Sequence, residues 1–250
     1  STPSNSSAAS DVYKRQEADM TFLSEEQNRQ FIGSGELNEA GQTLQEFLEE
    51  YDPRKYDNPC NTVDILVFTY AQEHGKRSLK RILLIKRRNH PCIGMWATPG
   101  GFIEFRESID DAARRELEEE TGIKNIDIEQ LKSYGVYDRD PRTRVITTAY
   151  VALVPDGMIE AHAGDDAKDA EWFDIAWQSR GVKENNGIST EELQLELKCK
   201  DISVGATVVR TMYTDSILKA PDYRLIQSNG LAADHGAIIM EAVDYVKDKL

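Results

Sequence analysis

Between Gly101 and Ile123 the chain reads GFIEFRESIDDAARRELEEETGI, and most of its reactive groups there are carboxylates. Residues 108–121 carry the marks of a helix. Ser108 can cap the start, with Asp111 three residues on in a capping-box-like position. Gly122 stands where a C-terminal glycine belongs. Ile109, Ala112, Ala113 and Leu117 form the stripe expected to face a core. The other face carries Arg115, Glu116, Glu119 and Glu120. At about 100° per residue, Glu116 and Glu120 lie about 40° apart, with Glu119 about 60° to the other side. Three carboxylates on one face repel one another unless positive charge sits among them. A divalent cation supplies that charge, and an all-oxygen donor set favours hard ions, Mg²⁺ first and Mn²⁺ as a substitute. A solvated acidic face is the plainer alternative for any Glu-rich helix.

The elements around this helix must place it. Residues 62–70 and 81–86 read as strands joined in a hairpin. Residues 87–101 form a loop containing Trp96 and Pro99-Gly100-Gly101, and residues 102–105 a short strand. Further strands are expected at 127–137, 145–153 and 171–174, then a polar break at 181–187, then strands at 193–199, 206–214 and 223–227. Residues 234–249 read as a final helix with Ile238, Ile239, Ala242, Val243 and Val246 on one stripe. Upstream, Leu37, Ala40, Leu44, Phe47 and Leu48 predict a helix over 36–50, followed by a Pro/Asp/Asn-rich linker. The mixture suggests an α+β fold, an α/β/α sandwich around a mixed sheet. The expected organisation is a tail at 1–19, a helical segment and linker at 20–59, a catalytic core at 60–180, and a strand-rich extension with the terminal helix at 181–250.

The chain has 250 residues, enough for one large domain or a domain with an elaboration. Thirty Lys and Arg against 44 Asp and Glu leave a formal charge of -14. Such a chain is a poor binder of nucleic acid or anionic membranes, which call for clustered basic residues. It can still bind phosphates if metal ions screen the charge. No apolar run approaches the ~20 residues of a membrane span, and no signal-peptide pattern opens the chain. Cys60, Cys92 and Cys199 are far apart with no CxxC pair, which argues against a disulfide framework and fits a reducing cytoplasm. Residues 1–16 read as a disordered tail. Within them, residues 6–16 resemble the in-frame translation of a sequencing adaptor, which would make them foreign to the fold.

The full spacing in the acidic stretch is Gly101, five residues, Glu107, seven residues, Arg115-Glu116-Leu117, one residue, Glu119-Glu120, one residue, Gly122-Ile123. This resembles the Nudix box at each of its nine defined positions. The resemblance implies a Nudix fold and hydrolysis of a nucleoside diphosphate linked to another moiety. It implies that Glu116, Glu119 and Glu120 ligate Mg²⁺, that Arg115 holds a glutamate by charge-assisted hydrogen bonds, and that Glu107 supports the metal site. The Gly101 carbonyl is a further candidate ligand. The general base stays open between Glu116 and Glu160, Asp165, Asp166 or Asp169 on a later loop, which otherwise reads as an ordinary polar loop.

The flanks at residues 56–68, 83–101, 138–155 and 231–235 resemble bacterial proteins classed as ADP-ribose pyrophosphatase-like. That resemblance implies ADP-ribose as substrate, with AMP and ribose 5-phosphate as products. Arg87 and Arg88 either contact phosphate or solvate a strand end. Arg139, Arg142 and Arg144 either bind a phosphate or ribose or pair with Asp138 and Asp140. Trp96, Phe102 and Tyr137 either stack on a base or fill the core. His90 and His235 have no ligand-spaced partner, and His235 beside Asp234 reads as a helix-start feature. The same family neighbourhood holds transcription regulators that append a winged-helix domain after the final helix. The chain's end after that helix, its charge and its intact box weigh against that alternative and against a non-catalytic scaffold. Residues 187–229 exceed a minimal Nudix domain and are expected to cover the pocket, extend the sheet or form the surface of a homodimer.

Overall fold

The computed structural model describes residues 22–160 and 167–250. The readings made on residues 1–16, Asp165 and Asp166 lie outside them. The chain divides into two compact units, residues 1–58 and 59–250.

In the first unit, two short helices are set by capping boxes. In α1 (Glu25–Asn28) the pair is Ser24 and Gln27; in α2 (Leu44–Glu50) it is Thr43 and Glu46. The helix expected over 36–50 therefore forms only from Leu44. Upstream, Asn38 Oδ1 accepts from the backbone N–H of Ala40 (3.0 Å) and of Gln42 (2.9 Å). A side chain that captures these amides competes with the helical ladder, and the segment turns instead.

The second unit contains β1 (Cys60–Glu73), β2 (Lys76–Arg87), β3 (Trp96–Ala97), β4 (Gly100–Phe102), α3 (Ile109–Thr121), β5 (Glu129–Tyr134), β6 (Val145–Pro155), β7 (Ala167–Asn185), β8 (Ile188–Cys199), β9 (Ile202–Tyr213), β10 (Asp222–Asn229) and α4 (His235–Lys247). They build one mixed sheet in the order β10-β9-β8-β7-β2-β1-β6-β5, with β3 on β2 and β4 on β1. β1 and β6 are parallel, and the other named pairs are antiparallel.

The centre of the sheet is covered on both faces, which explains the unbroken buried run from Val63 to Thr69. Alternate residues go to opposite sides. Val63, Ile65, Val67, Leu83, Tyr150 and Ala152 pack with Ala112, Ala113 and Leu117 of α3. Leu66, Phe68, Ile82, Leu84 and Val151 pack with Ile238, Ile239, Ala242 and Val243 of α4. This is the expected α/β/α sandwich. Ile109 is an exception to the expected stripe: at the first turn of α3 it is 43% exposed, because the sheet surface is reached only from Ala112 on.

Residues 187–229 extend the same sheet. The break expected at 181–187 is strand: β7 runs on to Asn185 with a register shift between Ser179 and Gly181. Asn186 and Gly187, both at positive φ, make a two-residue turn into β8. The segment reads as polar because the outer part of β7 is exposed. The expected division at 180/181 thus falls inside one strand.

Candidate active site

β1 carries β4 at its edge, and a tight turn leads from β4 into α3. In that turn the Glu104 N–H donates to Glu107 Oε2 at 3.1 Å. Ser108 caps α3 by accepting from the Asp111 N–H at 3.2 Å, and Gly122, at φ 71°, closes it. The box side chains converge on Arg115. Its Nε and Nη2 donate to the two carboxylate oxygens of Glu107 at 2.8 and 2.9 Å, a bidentate fork. Nη1 donates to Glu116 at 2.7 Å and to Glu119 at 3.1 Å. Nη2 also reaches the Phe102 carbonyl at 3.0 Å, so the guanidinium pins β4 to α3.

Glu120 points the other way, into the cleft. It is 8% exposed and accepts from the Gly100 N–H at 2.7 Å. Burial, opposed by that bond and reinforced by the negative charge of Glu116, pushes its pKa up to about 8. Burial also raises Glu116, against the pull of Arg115. The Arg115 bond, by contrast, holds Glu107 below the usual carboxylate range. Close approach to backbone requires Gly100, and a side chain at Gly101 would displace the Glu116 carboxylate. A Cβ on Gly100 would sit 2.1 Å from the Val63 carbonyl oxygen, and one on Gly101 2.4 Å from the Glu116 carboxylate.

As they stand, no three His, Cys, Asp or Glu side chains among the described residues form a group that could hold an ion. Arg115 draws Glu116 and Glu119 to itself. The donors nevertheless suit a hard cation: carboxylate oxygens in excess over the local arginine, two of them raised by burial, beside a backbone kept open by Gly101.

A cleft of about 230 Å³ opens beside the box, with Glu120, Gly101, Arg87, Arg88, Phe102 and Arg142 among its lining. Arg87 Nε donates to the Pro91 carbonyl at 2.8 Å. Arg142 is held bidentate by Asp140 at 3.0 and 2.8 Å and lies over the Phe102 ring, 5.1 Å from its centre. Asp64, Thr98, Arg139 and His235 also line the cleft. Arg139 forks onto Asp234 at 3.0 and 2.8 Å. A larger hollow of about 520 Å³ lies along the polar face of β7–β10, lined by groups such as Gln178, Gln194, Thr207 and Gln227. Of the box carboxylates Glu120 lines the smaller one, beside Gly100 and Gly101, and chemistry decides between them.

The structure thus brings Glu107, Arg115, Glu116, Glu119, Glu120 and Gly101 together, with Arg87, Arg88 and Arg142 on the same cleft. Arg144 is exposed and is not among the residues lining it. Trp96 is buried edge-on against Phe173, at 4.8 Å, and belongs to the core, while Tyr137 is 77% exposed. His90, Glu160 and Asp169 are exposed and line neither hollow. The sequence reading missed Asp64 and Thr98 and took His235 as a helix start only. Asp64 did carry a signal, as a carboxylate inside an otherwise apolar strand.

A family model described as NUDIX domain matches residues 60–186. The chain is 50% identical over 99 residues to an ADP-ribose pyrophosphatase of Methanocaldococcus jannaschii, a match spanning 38% of this chain and 55% of that protein. It is 38% identical over 112 residues to the ADPR responsive transcriptional repressor NtrR of Acinetobacter baylyi, spanning 44% of this chain and 43% of that one. These matches cover about half the length of the curated relatives. A solved MutT/nudix family protein from Enterococcus faecalis is 30% identical over 91% of this chain and 76% of its own, with a TM-score of 0.59.

Proposed function

The chain belongs to the NUDIX family, and from that premise we propose that it hydrolyses the pyrophosphate bond of a nucleoside diphosphate derivative with divalent cations bound at the box. ADP-ribose is the substrate we favour, cleaved to AMP and ribose 5-phosphate. The observation that carries the reading is the Arg115 fan: one guanidinium orders Glu107, Glu116 and Glu119, while Glu120 of the same helix faces the cleft.

Glu116, Glu119 and Glu120, with the Gly101 carbonyl, are the residues that would hold Mg²⁺ or Mn²⁺. A divalent ion held by them would neutralise diphosphate charge and lower the pKa of an attacking water. Arg115 gathers Glu107, Glu116 and Glu119 around one point, from which Glu116 and Glu119 would turn to a bound ion. Glu116 has Oε1 engaged by Arg115, and its Oε2 is the atom we assign to take the proton from water. Arg87, Arg88 and Arg142 supply positive charge at the cleft, where diphosphate oxygens would lie. Asp140 holds the Arg142 fork in one orientation over Phe102, whose exposed ring offers a stacking face.

A second reading, an ADP-ribose-sensing regulator, is favoured by the likeness to the Acinetobacter repressor. One experiment separates the two. The full chain is incubated with Mg²⁺ and, in turn, ADP-ribose, NADH, nucleotide sugars, dinucleoside polyphosphates and nucleoside triphosphates, and products are resolved by chromatography. Preferential release of AMP from ADP-ribose supports the hydrolase reading. Cleavage of another compound keeps the reaction and removes the substrate. Tight ADP-ribose binding without turnover favours the regulator.

A further inference from the structure

The cleft contains a buried histidine that the hydrolysis described above does not use. Trp96 and Ala97 form β3, Gly100 opens β4, and the N–H groups of residues 96, 98 and 100 each find a different kind of partner. Trp96 N–H donates to the Gly230 carbonyl at 2.8 Å, and the Ala232 N–H returns to the Trp96 carbonyl at 2.8 Å. Two residues on, the partner backbone has turned into α4 and offers no carbonyl. There the Thr98 N–H donates to Nδ1 of His235 at 3.2 Å. Two residues further, the Gly100 N–H donates to Glu120. The imidazole thus stands in for the missing rung between a backbone carbonyl and a box glutamate.

We infer that His235 is a positioning residue: through the backbone of Thr98 it holds the Pro99–Gly101 segment against Glu116 and Glu120. A backbone N–H is always a donor, so Nδ1 accepts and the ring proton sits on Nε2. Nε2 lies 3.9 Å from Asp64 Oδ1. The Thr98 hydroxyl lies 2.9 Å from the same Nδ1 and 3.2 Å from Asp64 Oδ1, and Asp64 Oδ2 accepts from the Thr147 hydroxyl at 2.7 Å. Asp234, the residue before His235, is clamped by Arg139, whose side chain is 7% exposed. The start of α4 is therefore locked to the cleft from both of its first positions. Both Thr98 and His235 are buried, so an apolar side chain at 235 leaves the Thr98 N–H without a partner. The helix on one face of the sheet thereby sets the geometry of the box on the other.

The effect on turnover rests on the hydrolase reading; the effect on the glycine segment does not. The test compares the wild-type chain with His235→Asn and His235→Leu. Asparagine Oδ1 takes the place of Nδ1 and can accept from Thr98; leucine cannot. Amide hydrogen exchange of Thr98 and Gly100 is followed by NMR, and Mn²⁺ affinity by EPR. In His235→Leu both amides exchange about tenfold faster and Mn²⁺ binds roughly tenfold more weakly, while His235→Asn stays near wild type and the Leu195 amide is unchanged in both. With ADP-ribose, kcat falls in His235→Leu more than KM rises. If the leucine variant does not fold, His235→Gln carries the test, since its acceptor reaches the Nε2 position and misses Thr98. Equal Gly100 protection in all variants, or a leucine variant changed in KM alone, overturns the assignment. A wild-type chain that hydrolyses nothing refutes the hydrolase reading and leaves the exchange result to decide this one.

Discussion

Arg115 and Arg210 each bind several carboxylates, one on either side of the sheet. Arg115 meets Glu107, Glu116 and Glu119, with Glu120 adjacent on the same helix. Arg210 meets Glu191 of β8 and Asp244 of α4, and Asp244 also receives Lys247 and the Tyr223 hydroxyl at 2.6 Å. The chemical types are alike and the balance differs. Around Arg210, two cations and a hydroxyl answer two carboxylates. Burial works to raise Asp244, yet Lys247, Tyr223 and Arg210 together hold it below the ordinary value. Around Arg115, one guanidinium answers a larger set, and burial wins at Glu116 and Glu120. An ion cluster that is matched clamps a helix to a sheet. One left short of positive charge has room for a cation.

Substituting in each cluster should separate these roles. The largest effect is expected from Glu119→Gln or Glu120→Gln, each lowering turnover on the order of 100-fold or more with circular dichroism unchanged. Near-normal turnover in both would break the comparison at the box. Arg115→Lys keeps the charge and loses the fork; a loss of about 10- to 100-fold in Mg²⁺ affinity is expected in a titration of activity against metal. Arg210→Met should do the reverse. Leaving Glu191 and Asp244 short of a partner costs about 3 kcal/mol in urea unfolding, with kcat within about twofold at 25 °C.

The two clusters should also answer pH with opposite sign. In metal-free protein Glu120 titrates near 8 instead of the ordinary 4.5. Its contribution to stability is complete below 4.5 and disappears as pH rises through about 8. Asp244 is lowered from 3.8, so its contribution is complete above that value and is lost as pH falls through the depressed pKa. Urea midpoints should flatten between pH 4.5 and about 8 in Glu120→Gln and below pH 3.8 in Asp244→Asn. The smallest effect concerns the rim. Arg142→Ala should raise KM by roughly tenfold, whereas substitution of Arg144 by alanine, at an exposed position that does not line the cleft, should leave it unchanged.

The box was legible because its parts lie within one turn and one helix, so spacing alone fixes which side chains share a face. The strands of the central sheet were legible for a similar reason, as apolar runs buried on both sides. The network behind the box was not. Thr98 and His235 are 137 residues apart, and Asp64 and Thr147 are 83 apart. No local pattern announces such pairs, although a carboxylate among Val63, Ile65 and Leu66 was a hint. The N-terminal helix failed because apolar spacing was weighed without Asn38, whose side chain takes the backbone amides first. The outer part of β7 failed because an exposed strand need not alternate, and the Asn186–Gly187 turn that ends it lay inside the supposed break.

The Arg115 cluster is short of positive charge and the Arg210 cluster is not. Mn²⁺ titration followed by EPR, without substrate, measures this directly. The wild-type chain and Glu191→Gln should bind Mn²⁺ equally, and a Glu116→Gln/Glu120→Gln double variant should lose that binding. Retention of wild-type Mn²⁺ affinity in the double variant would show that the cation does not bind at the Arg115 cluster.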